Sequence, residues 1–180
     1  MLNSLFSPLK INNVELKNRL MVPAMVTNLC TDDGMATEEF IAYHEAKAKG
    51  GWGLILTEDY AVAPEGRGYR KVPGLWLDEQ ATSHMALTKR LHKEGAVVFA
   101  QIYHSGRQTR PDLNGGYQPV SASRIPCPFC KVTPRELSQS EITGIIEKFA
   151  AAVNHPTAEH SAGRLSVGVN GYRLVESILP

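Results

Sequence analysis

Residues 52–58 read WGLILTE, an unbroken apolar run of strand length that ends on polar residues. A strand with one face in water alternates, so a continuous run of this kind fits a parallel strand covered on both faces. What flanks it makes the same point. Upstream, TEEFIAYHEAKAK (37–49) has Thr37 as an N-cap candidate, acids in its first turn, lysines in its last, and Gly50-Gly51 as a stop. Downstream, after a loop rich in Gly and Pro, residues 78–94 place Ala81, Met85, Thr88, Leu91 and His92 at helical spacing and end at Gly95. AVVFAQIYH (96–104) then supplies another strand.

Working outward, LKI and VEL flank an Asn12-Asn13 turn within residues 9–20, a short hairpin, and NRLMVPAM leads into a first buried strand ending near Met25. At the other side, residues 105–137 form a polar, Pro-rich connection far longer than the usual 2 to 6 or so residues, which marks it as functional or disordered, the functional reading being favoured. Ser138-Gln139-Ser140-Glu141 reads as a capping box, followed by Ile142, Ile145, Ile146, Phe149, Ala150 and Val153 on one helical face. Strand and helix thus alternate three times. That pattern is α/β with a parallel sheet, either an open doubly wound sheet or a (β/α)8 barrel.

Both architectures gather functional groups at the C-terminal ends of their strands, here 23–27, 58–61 and 101–107. A dinucleotide fingerprint or P-loop would need a Gly-rich turn after the first strand, and PAMVTN is neither.

Composition narrows the classes further. With 43% hydrophobic and 21% charged residues the chain suits one soluble globular domain. Its formal charge of +1, without a basic run interleaved with aromatics, argues against nucleic acid and anionic membrane surfaces as partners. No stretch approaches the roughly 20 apolar residues of a spanning helix, and MLNSLFSPLKINN lacks a secretory pattern, so the expectation is a cytoplasmic protein. Cys30, Cys127 and Cys130 are an odd count, which favours reduced thiols over a disulfide framework. Cys127-Pro-Phe-Cys130 has the spacing of a metal or redox pair. Four ligands are wanted, however, and the pair lies in a Pro-rich loop rather than at a helix start, so free loop thiols and no metal are expected. His44, His84 and His92 fall on helices and read as packing or surface residues.

Four segments carry a family resemblance: NRLMVPAMVTN (18–28), GGWGLILTEDYAVAPEGRG (50–68), FAQIYHSGRQ (99–108) and PRELSQSEITGIIEKFAAA (134–152). In order and spacing they resemble the old yellow enzyme family, especially its enoate and dienoyl-CoA reductase branch. The resemblance implies the N-terminal half of a (β/α)8 TIM-type barrel, about four βα units. Residues 1–153 form that half, and 154–180 are expected to be a divergent or irregular tail resembling the fourth-strand region.

It also implies FMN across the barrel mouth, with NAD(P)H as reductant. Carried onto this sequence, the FMN contacts are Pro23, Ala24, Met25 and Val26 after the first strand, Asp59 after the second, and Gln101 ending the third. A carboxamide suits Gln101 because it pairs a donor and an acceptor with the flavin pyrimidine edge; the plainer reading is a buried amide satisfied by neighbouring backbone. His104 and Arg107 match the same motif, and an Arg near flavin would stabilise charge developing on reduction, the alternative being a salt bridge at the barrel rim. At Asp59 the family generally has a small neutral residue, and a carboxylate beside reduced flavin would be unfavourable. Its side chain is therefore expected to point away, or the site to be altered.

In the family a His with a second His or Asn holds the substrate carbonyl and a Tyr often protonates the α-carbon. LSVGVNGYRL (165–174) aligns Asn170 and Tyr172 with those roles, while Val167 stands at the His position and can donate nothing. The expected function is hydride transfer through FMN to an activated C=C of an enone or enoate, impaired in a chain too short for the about 250 residues of a closed barrel. Longer members carry an iron-sulfur cluster, whose ligands would lie beyond residue 180, so none is expected in this chain. The alternative is a non-catalytic remnant or association module that forms a homo-oligomer through unclosed barrel edges.

Overall fold

The structure, a computed structural model, describes residues 4–153. Asn12, with φ of 51°, turns the chain between β1 (Leu9–Ile11) and β2 (Val14–Leu16), which pair antiparallel as the Asn-Asn turn predicts. The first strand of the main sheet, β3 (Met21–Val22), is shorter than its apolar pattern implies. Pro23 has no N–H to give a ladder, and the chain leaves the sheet there.

α1 (Glu38–Lys49) starts where Thr37 accepts a hydrogen bond from the Phe40 N–H, a cap worth about 1 kcal/mol. It ends at Gly50, and Gly51 turns the chain with φ of 91°, a left-handed conformation that suits glycine. β4 (Leu54–Ala61) outlasts the apolar run by three residues. α2 (Asp78–Lys93) and β5 (Val97–Tyr103) follow, with Gly95 at φ of 67° between them. The sheet order is β3-β4-β5, all parallel.

One face of this sheet is closed by helices. Val22, Ile55, Tyr60, Val62, Val98 and Ile102 pack with Phe40, Ile41 and Ala48 of α1 and Ala81, Leu87 and Leu91 of α2 in a single cluster. Each fully buried aliphatic side chain contributes about 1.5–3 kcal/mol. On α2 the buried stripe is Gln80, Ala81, His84, Leu87 and Leu91, whereas Met85, one of the residues at helical spacing in the sequence, is 47% exposed. The opposite sheet face carries Leu56, Val97, Phe99 and Gln101, all half-buried, with Met21 exposed. That face is the side a barrel would enclose.

Residues 105–137 run mostly as turns with one short strand pair. Thr109 and Asn114 are buried, β6 (Val120–Ser121) pairs parallel with β7 (Arg135–Glu136), and α3 (Gln139–Val153) follows. The capping box forms as the sequence predicts: Ser138 Oγ accepts from Glu141 N–H, and the Glu141 carboxylate accepts from Ser138 N–H at 2.8 Å. Ile145 packs with Val120 and Leu137 while Ile146 is 58% exposed, so the buried face of α3 is narrower than its apolar pattern.

Candidate active site

The site is set by an irregularity in the ladder. Leu56 pairs with Phe99 and Asp59 with Gln101, so Thr57 and Glu58 together stand opposite Ala100 alone. Such a bulge reverses the in-out alternation beyond it. Without it, Glu58 would share a face with Leu54 and Leu56; with it, Glu58 turns toward α1 and Asp59 toward the open face.

Behind the sheet, Glu58 is fully buried and its Oε1 accepts hydrogen bonds from both the N–H and the hydroxyl of Thr27, the N–H at 3.0 Å. It thereby anchors the segment that leaves β3. Burial, partly offset by the Thr27 bonds, pushes its carboxyl up to about 7. His44 Nε2 lies 3.9 Å from the same oxygen, but burial holds that imidazole down at about 3. A neutral ring beside a half-protonated acid is a packing contact rather than an ion pair. His84 is likewise buried and held down at about 4 by burial, and its ring sits against Phe40 and Tyr60.

On the open side, a cavity of about 370 Å³ lies at the C-terminal ends of all three strands. Its walls are Ala24, Met25, Val26 and Asn28 after β3, Asp59 of β4 with Gly68 and Tyr69 beyond it, and Tyr103, Ser105 and Gln108 at the end of β5. Volume and position are those of a small-molecule site in a parallel α/β architecture.

Asp59 does not point away: it lines the cavity, and its Oδ1 accepts from Gln101 Nε2 at 2.5 Å. Burial raises its carboxyl to about 6, and the bond from Gln101 opposes the shift. Gln101 stands beside the cavity through that bond, with its amide held by a side chain rather than by backbone. Of the other residues picked out from the sequence, Ala24, Met25 and Val26 line the cavity and Pro23 immediately precedes them. Arg107 Nη1 donates to the Ile125 carbonyl at 2.9 Å, toward the long loop. His104 is buried and held down at about 4 by burial; its Nδ1 accepts from the Gly106 N–H at 3.1 Å. Asn170 and Tyr172 lie outside the described residues. Among the described residues, no group of three or more His, Cys, Asp or Glu side chains could hold a metal ion, and no helix is long and apolar enough to cross a membrane.

Sequence reasoning missed the residues that shape the far wall. Arg67 is buried, and its guanidinium donates to the carbonyls of Pro64, Asp32, Arg70 and Asn114, tying the loop after β4 to the one after β5. Tyr103 OH accepts from the Gly68 N–H at 2.8 Å and Ser105 Oγ donates to the Arg67 carbonyl at 3.1 Å. Tyr103, Ser105, Tyr69 and Gln108 all sit within or beside the quoted motifs, where their position at strand ends was the available signal.

Residues 4–176 match the model of the NADH:flavin oxidoreductase / NADH oxidase family. The chain belongs to that family. A relative called NADH oxidase, from Thermoanaerobacter brockii, is 37% identical over 178 residues, which is 98% of this chain and 27% of the relative. Among solved structures, a 2-naphthoyl-CoA reductase in complex with 2-naphthoyl-CoA superposes with a TM-score of 0.82 at 27% identity, over 91% of this chain and 26% of that one. An old yellow enzyme homologue from Zymomonas mobilis gives a TM-score of 0.76 at 27% identity, over 89% of this chain and 46% of that one. The chain therefore spans between about a quarter and a half of these proteins. Its fold is the N-terminal part of the flavin oxidoreductase barrel, and the two remaining sequence alternatives, open sheet or barrel, resolve in favour of the barrel.

Proposed function

We propose that the cavity at the ends of β3, β4 and β5 is the inner half of an FMN site, and that the chain serves an oxidoreductase of the ene-reductase type with NAD(P)H as reductant. The observation that carries this reading is the pairing of a flavin-family chain with a 370 Å³ cavity whose wall includes 24–26 and Asp59, with the Gln101 carboxamide bonded to Asp59 beside it. The donor set fits the flavin edge at Gln101, which offers both an N–H and a carbonyl. It fits less well at Asp59, which must be neutral to stand beside an electron-rich ring.

Bound FMN would supply hydride chemistry at the barrel mouth. The chain's own residues bind and orient. Glu58 fixes the segment after β3 through Thr27, and Gln101 recognises the pyrimidine edge. Arg67 keeps Gly68 and Tyr69 against the end of β5, and Tyr103 and Ser105 close that wall by hydrogen bonds. Arg107 would add positive potential at the rim. By the family resemblance, Asn170 holds the carbonyl of an activated alkene and Tyr172 delivers a proton to its α-carbon. The substrate class is an enone, enoate or unsaturated thioester, in line with the 2-naphthoyl-CoA bound by one structural relative.

Because the open sheet face leaves Met21 exposed and Leu56 and Phe99 half-buried, the described residues would enclose FMN from one side only, and weak binding is the expected consequence. FMN-dependent oxidation of NADH, followed at saturating flavin with and without an α,β-unsaturated thioester, tests the reading. A slow rate that falls at least tenfold in Gln101→Leu supports it; a rate equal to that of free FMN refutes it. The same exposed face favours a second reading, an association module that pairs with another copy of the chain. Sedimentation would distinguish it, since a concentration-dependent dimer is expected there and a monomer is not.

A further inference from the structure

We propose that Cys127 and Cys130 form a redox-active dithiol in the long connection after β5, closed to an intramolecular disulfide by peroxide-class oxidants and reopened by thiols. The inference is independent of flavin binding. Residues 127–131 make a single turn closed by the Lys131 N–H on the Cys127 carbonyl at 2.8 Å, with Lys131 itself in the left-handed region at φ of 58°. Such a turn puts residues i and i+3 on one side of the backbone, with Cα atoms less than about 7 Å apart. A disulfide bridges Cα atoms about 4.4–6.8 Å apart, a separation that such a turn can supply. Both thiols are free.

Their surroundings differ in a way that suits the two halves of a dithiol. Burial pushes the Cys127 thiol up, but the backbone N–H groups of Cys130 and Phe129, the Cys130 thiol and the Arg107 guanidinium outweigh it, so the net shift is downward. Burial and the neighbouring Cys127 raise Cys130, against the pull of Arg110. Cys127 is buried, so only a small oxidant reaches it, while Cys130 is half-exposed beside Phe129, which is 87% exposed. The third cysteine offers an internal contrast. Cys30 lies in the hydrophobic core, where burial and the Glu58 charge drive its thiol far up, and no second cysteine accompanies it in that cluster.

The chemistry balances with peroxide as the two-electron acceptor. The Cys127 thiolate attacks one peroxide oxygen, the O–O bond breaks, hydroxide leaves, and a sulfenic acid remains. The Cys130 sulfur then attacks Cys127 Sγ, the S–O bond breaks, and its oxygen departs as water. In sum two thiols and one H₂O₂ give one disulfide and two waters.

Trypsin cleaves after Arg124 and Lys131, so both cysteines fall in one peptide, IPCPFCK, and the disulfide appears as the loss of two hydrogen atoms from its mass. The full chain is treated with hydrogen peroxide, alkylated under denaturing conditions and digested, with and without prior dithiothreitol. The expected result is a non-alkylated peptide lighter by two hydrogens, restored to double alkylation by dithiothreitol, while Cys30 stays alkylatable throughout. In Cys130→Ser the reaction is expected to stop at Cys127, which a sulfenic-acid reagent such as dimedone labels. Three results would overturn the proposal: both thiols staying alkylatable while Cys30 oxidises, disulfides joining two chains, or dimedone labelling of Cys130 in place of Cys127.

Discussion

Gln101 Nε2 donates to Asp59 Oδ1 at 2.5 Å between two residues that face each other in the β4–β5 ladder. The amide proposed to read a flavin edge is thus held by a carboxyl that burial raises to about 6. Above that pH the carboxylate is charged and disfavours an electron-rich ring; below it the acid is neutral. FMN affinity is therefore expected to be higher at pH 5 than at pH 8, by about tenfold for a single neutralised charge at short range. In Asp59→Asn the pH dependence is expected to vanish and affinity at pH 8 to rise. Fluorescence titrations at the two pH values check both.

Glu58 gives a pH signature in stability rather than in binding. Its carboxyl is raised from 4.5 to about 7 in the folded chain, so between those values the native state holds a proton that the unfolded state has released. Stability consequently falls as pH rises through that window, by up to about 3 kcal/mol, with Asp59 adding in the same direction from 3.8 to about 6. Glu58→Gln keeps the acceptor for Thr27 and loses the titration. Thermal melts are expected to show a drop from pH 5 to pH 8 in the native chain and a smaller one in the variant.

Arg67 is expected to be the most sensitive charged residue in the loops. Replacement by Met leaves the carbonyls of Pro64, Asp32 and Asn114 without their buried donor, a cost of about 3 kcal/mol or more. Lys, lacking the guanidinium fork, is expected to recover less than half of that. Urea midpoints of the two variants against the native chain measure the difference.

Gly66 packs against a ring. A Cβ there would stand 2.7 Å from His104 Cδ2, and His104 is fully buried with no room to retreat. Gly66→Ala is expected to destabilise by about 1–3 kcal/mol, whereas Gly144→Ala, where nothing lies within 4 Å, is expected to be neutral or mildly stabilising. Paired denaturation curves test the contrast.

The caps of α1 and α3 and the run 52–58 were legible because their determinants are local: a side-chain oxygen, a Gly stop, an apolar period. The parity of β4 was not. Whether Glu58 or Asp59 faces the cavity depends on two residues of one strand opposing a single residue of the other, a property of the pair that neither strand carries alone. The role of Arg67 was hidden for a similar reason, since its acceptors at Asp32 and Asn114 are 35 and 47 residues away. Met85 and Ile146 misled because an apolar residue on a helix need not be buried, and the helix faces rotated slightly from the stripes their hydrophobicity suggested.

The central claim, that the cavity at the ends of β3, β4 and β5 receives FMN through Gln101, is tested most directly by titrating FMN into the chain and into Gln101→Leu and following flavin fluorescence. Saturable binding by the native chain, weakened at least tenfold in the variant, is the predicted result. Absence of saturable binding, or equal affinity in the two proteins, would contradict it.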